Sequence, residues 1–140
     1  MRFSRIIPLL VATLAAGACL PTADDIDAEL EAALQSVVGP WNGTSQTLTL
    51  DFQLQAGTGN AVSGSGTMKE AAAAGTVPIT VTGTFQRPQL SLTFSGMTFE
   101  GKAVQGTFTG NYTTVGGING PLQLTATGYS KSVTILLQER

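Results

Sequence analysis

Two hydrophobic periods divide this chain, and the change falls at Gly39-Pro40. From Ala23 to Val38 strong helix formers dominate, and Ile26, Leu30, Leu34 and Val37 recur three or four residues apart. That spacing predicts one amphipathic helix over 23–38, capped by Thr22 with Asp25 and stopped by Gly39-Pro40. Beyond Trp41 the period becomes two and stays so: Leu48, Leu50, Phe52 and Leu54 alternate with Thr47, Thr49, Asp51 and Gln53. Alternation of this kind marks a strand with one wet face. It recurs at Val62–Met68, Val77–Phe85, Leu90–Gly96, Val104–Tyr112, Leu122–Ala126 and Val133–Leu137, and with a short piece at Trp41–Ser45 it predicts eight strands.

The connections decide how these strands pair. Gly57-Thr58-Gly59-Asn60, Arg87-Pro88-Gln89, Gly101, Gly116-Gly117 and Gly120 are turn-rich and fit successive hairpins, while Ala71–Gly75 reads as a loose loop or one helical turn. No crossover helix separates any two strands, which leaves an antiparallel meander. Such a meander closes as an up-and-down barrel or folds as a β-sandwich. Closure is favoured by glycines on the apolar face at Gly64, Gly66, Gly83, Gly96, Gly106 and Gly110, which permit sharp coiling. The sandwich stays as the alternative, because Gly-Thr-rich strands also occur there.

Composition then limits the partners. Residues 1–18 read as a signal peptide: a basic start at Arg2 and Arg5, an apolar run from Ile6 to Leu14, and the small residues Ala16-Gly17-Ala18. Without them, five of the seven basic side chains face nine acidic ones, and five acids crowd into Asp24–Glu31. That balance repels phosphate backbones, so nucleic acid is not an expected partner. The part from 40 to 140 is nearly neutral and rich in Thr, Ser, Gln and Asn, with the length of one domain.

The sole cysteine, Cys19, follows Ala18 directly. This junction resembles the lipobox of bacterial lipoproteins, in which the cysteine is lipidated and becomes the mature N-terminus. The resemblance implies residues 19–22 as a lipidated terminus, attachment to the cell envelope through Cys19, and, with Leu20 rather than aspartate next, the outer membrane. Ala16-Gly17-Ala18 also satisfies the A-x-A rule of ordinary signal peptidase, which would give a secreted or periplasmic protein with an unpaired thiol.

A second resemblance lies in Gly39-Pro40-Trp41, which looks like the Gly-x-Trp that opens the first strand of calycins, the group containing lipocalins. It implies a barrel domain over 39–140 whose closed end is sealed by Trp41, with Arg140 from the last strand as the residue covering the indole. The ligand contacts of that group have no counterpart here, so no ligand identity carries over.

Catalytic constellations are absent from the sequence. There is no histidine, which removes Ser-His-Asp and Cys-His arrangements and histidine-containing metal sites. Asp51, Glu70, Glu100 and Glu139 are the carboxylates left in the strand region, and they fall on the wet face or near strand ends. The expectation is therefore a non-enzyme without cofactor or metal. Two roles follow: a carrier of a small apolar ligand in a modest cavity near Gly64, Gly66, Gly83 and Gly106 with Phe52, Phe85, Phe94 and Phe108 as walls, or a structural or protein-interaction module with a fully packed core.

Overall fold

The computed structural model describes residues 37–113 and 117–140. The expected signal peptide, Cys19 and all but the end of the expected helix lie outside the described residues. Eight antiparallel strands follow in order: β1 Gly39–Thr44, β2 Leu48–Ala56, β3 Ala61–Glu70, β4 Val77–Gln86, β5 Gln89–Phe99, β6 Lys102–Thr113, β7 Gly117–Ala126 and β8 Tyr129–Glu139. Each pairs with its sequence neighbour, and β1 pairs with β8 from Trp41↔Glu139 to Thr44↔Leu136, so the meander closes into a barrel. Closure removes the free edges that a sandwich of the same strands would keep.

The alternation works as the pleat requires. Leu48, Leu50, Phe52 and Leu54 of β2 point inward, as do Ile118, Leu122 and Leu124 of β7 and Ile135 and Leu137 of β8, and all are buried. Their outward neighbours form rows of hydroxyl and amide side chains across the strands, among them Thr82↔Thr93, Thr93↔Thr107 and Thr107↔Gln123. An apolar inside and polar outside is the inverse of a membrane-spanning barrel, whose outer band is apolar.

Three local expectations are corrected, and of the two readings of Ala71–Gly75 the loop is the one found. Val37 and Val38 are not helical but run irregularly into β1, because the Trp41 indole captures the Val37 carbonyl. In β5 the register against β6 shifts between Phe94 and Met97. This bulge turns Gly96 outward, at φ +83, a conformation glycine tolerates, and brings Met97 and Phe99 into the core instead. Gly120 lies within β7 rather than in a turn, where the Thr109 carbonyl and then the Phe108 ring take the space that a side chain would fill. Ala71–Gly75 is a turn held by Ala73 N–H donating to Glu70 O at 3.0 Å and by Ala71 N–H donating to Thr47 O at 2.8 Å.

Candidate functional site

A barrel offers three places to work: its interior, its two ends and its outer face. The interior is filled. Phe52 and Phe94 meet edge to face, with centroids 5.4 Å apart and planes at 76°, and Phe94 and Phe108 are essentially fully buried. None of the buried residues described is polar or charged. Of the four expected pocket walls, these three are core packing, and Phe85 alone is half-buried at a rim.

The inward glycines explain why no cavity opens beside them. A methyl group at Gly64 would lie 1.8 Å from the Gln53 carbonyl oxygen, at Gly66 2.0 Å from that of Asp51, and at Gly83 2.0 Å from that of Ser91. At Gly106 it would lie 2.6 Å from the Met97 sulfur. At these positions the adjacent strand's backbone or the Met97 side chain packs directly against the glycine. The missing side chains serve strand coiling and close approach instead.

The Val37 end is sealed by an aromatic pair. Trp41, 1% exposed, donates its indole N–H to Val37 O at 2.9 Å, and Tyr112 meets it edge-on at 6.2 Å. Burial, and then the nearby Glu139 carboxylate, push the Tyr112 phenol above its ordinary pKa. Arg140 does not cover the indole. Its Nη1 lies 3.3 Å from Asp51 Oδ1 on the outer face, and Asn42 Nδ2 donates to the same oxygen at 2.9 Å. Arg140 N–H also donates to Pro40 O at 3.0 Å. The last residue thus stitches β8 to β1 and β2 across the closing seam.

The opposite end carries the densest charge. Glu100, at φ +50 in the β5–β6 turn, accepts a hydrogen bond from Tyr129 Oη at 3.0 Å and pairs with Lys131. Its own N–H is directed to the Glu70 carboxylate, 3.2 Å from Oε2. Lys131 also sits 4.8 Å above the Phe99 ring, and Lys102 5.0 Å above that of Tyr129. The Lys131 contact first, then Tyr129, hold the Glu100 carboxyl below its ordinary pKa, and the same contact raises that of Lys131. The sequence places Glu70 and Glu100 near strand ends and does not bring them together. Their convergence depends on β3, β5, β6 and β8 ending together, which no linear spacing reveals.

These groups form a clasp at the solvent-exposed strand ends, in which the Glu100 carboxylate is held by Lys131 and Tyr129. Among the described residues no group of three metal-ligating side chains occurs. Open grooves lie at the surface, one of about 610 Å³ over β6–β8 beside Leu136 and another of about 650 Å³ at the rim beside Val37 and Phe85. Comparison with protein-family models, curated proteins and solved structures finds no match.

Proposed function

We propose that this protein is a lipid-anchored, non-catalytic module of the bacterial cell envelope that acts through its outer surface and ends. The observation that carries this reading is the filled interior, where an apolar core and the close approach of neighbours at Gly64, Gly66 and Gly83 take up the space a carrier needs. The polar outer face supports a barrel that does not cross the membrane with its strands. Attachment comes from Cys19, whose setting resembles a lipobox.

Native mass spectrometry of protein purified from its own membrane tests the role. The expected spectrum contains the chain with its acyl modification and no further small molecule; a stoichiometric apolar passenger would restore the carrier reading. Replacing Cys19 by Ser tests the anchor separately. Release from the membrane fraction or blocked processing is expected, and unchanged retention of a processed chain would refute lipidation.

A further inference from the structure

We propose that the outer groove over β5–β8 binds a short neutral oligosaccharide. The inference rests on the reading of the barrel as acting through its outer surface, and not on a lipid at Cys19. Register sets the frame of the site. Gln89 pairs with Asn111, Asn111 with Asn119 and Asn119 with Leu136, so one outward-facing position on four adjacent strands forms a continuous row. At the usual spacing of strands this row is about 14 Å long.

The row crosses a place where the sheet is interrupted. Pairing between β6 and β7 runs to Phe108↔Leu122 and resumes at Asn111↔Asn119, skipping Thr109, Gly110, Gly120 and Pro121. Proline inside a strand has no N–H to give the ladder, and glycine leaves the backbone beside it uncovered. Together with Leu136, exposed at 38%, these residues supply an apolar lining to a groove of about 610 Å³.

Four carboxamides surround that lining: Gln89, Asn111, Asn119 and Gln138. Asn42 and Gln123 use their amides within the protein, on Asp51 and Ser132, whereas these four make no side-chain hydrogen bond among the described residues. A carboxamide offers acceptor and donors side by side, and a sugar hydroxyl is donor and acceptor at once. Amides around an apolar floor therefore match a ring with hydroxylated edges and a C–H face. No charged side chain lines the groove, which favours a neutral sugar over an acidic one. The aromatic and arginine anchors on which protein–protein affinity concentrates are missing from the lining as well.

Nitrogen–proton correlation NMR of the full processed chain tests this, with maltotriose, cellotriose and triacetylchitotriose as probes at millimolar concentration. At least one should shift the side-chain amide signals of the groove saturably, with Kd on the order of 1 mM, as a shallow and wet site gives. Trigalacturonate should leave them in place. Asn111→Ala and Asn119→Ala, both at exposed strand positions, should each weaken binding about fivefold, read at the remaining amides, while Thr82→Ala on β4 should leave it unchanged. Absence of a saturable shift with all three sugars would overturn the proposal. So would an equal response to trigalacturonate, or shifts there that follow protein concentration alone, since the groove would then be a contact between copies. Each of these results leaves the surface reading in place, which an apolar passenger in native mass spectrometry would remove instead.

Discussion

Phe94→Ala weighs the filled interior most directly, because Phe94 is wholly buried and packs edge to face on Phe52 near the middle of the barrel. Removing a buried phenylalanine side chain costs about 3–5 kcal/mol, made up of lost transfer energy and the void left behind. The edge-to-face pair with Phe52 accounts for roughly 1 kcal/mol of that. Closed barrels relax little around a void, since every strand is pinned on both sides, so a value toward the upper end is expected. With a urea slope of about 1.5 kcal/mol per M, the unfolding midpoint should fall by about 2–3 M at unchanged slope.

A loss below about 1.5 kcal/mol would refute the reasoning, for it would mean that Phe94 borders space already present. A second arm uses benzene, which enters dry apolar cavities of sufficient size. It should raise the midpoint of Phe94→Ala and leave the unaltered protein where it was. Stabilisation of the unaltered protein would reveal a natural cavity and return the carrier reading.

The meander and its closure were legible because Thr, Ser and Gln alternate with Leu, Val and Phe so regularly that each strand announces its own face. Much of what escaped was local, and part of it has one cause: glycine has several uses that look alike in a sequence. Gly117-Ile118-Asn119-Gly120-Pro121 has the chemistry of a turn, yet it forms the start of β7, with Gly120 giving room to the Thr109 carbonyl and the Phe108 ring. Gly96 continues the inward parity of Leu90, Leu92 and Phe94, but the bulge changes parity and exchanges it for Met97. Arg140 was read toward Trp41 from a resemblance, and its Asp51 partner lies on the wet face, where only the closed register brings β2 and the chain end together.

Three further outcomes are expected. Gly66→Ala should cost more than about 3 kcal/mol, since its methyl group would meet the Asp51 carbonyl and the Phe52 backbone, while Gly75→Ala, with open space around it, should stay within about 0.5 kcal/mol; paired urea melts decide this. Trp41→Phe should lose about 1–2 kcal/mol by leaving the buried Val37 carbonyl without its donor, read by the same melts. Because the folded state holds the Glu100 carboxyl below its ordinary value, its contribution is present above the unfolded pKa and fades as pH falls through the folded one. Thermal melts from pH 6 to pH 3 should therefore drop less steeply for Glu100→Gln than for the unaltered protein, and the difference should shrink in high salt.

The inward glycines carry the argument about function furthest, since they seemed to promise space. In a flat sheet a missing side chain leaves a gap of its own size. In a small closed barrel the strands must bend, and at Gly64, Gly66 and Gly83 the neighbouring carbonyl comes within about 2 Å of where a methyl group would stand. At those positions the space beside the glycine is taken by the adjacent strand. The two ends carry different chemistry, an indole and a phenol at one and a charged clasp at the other.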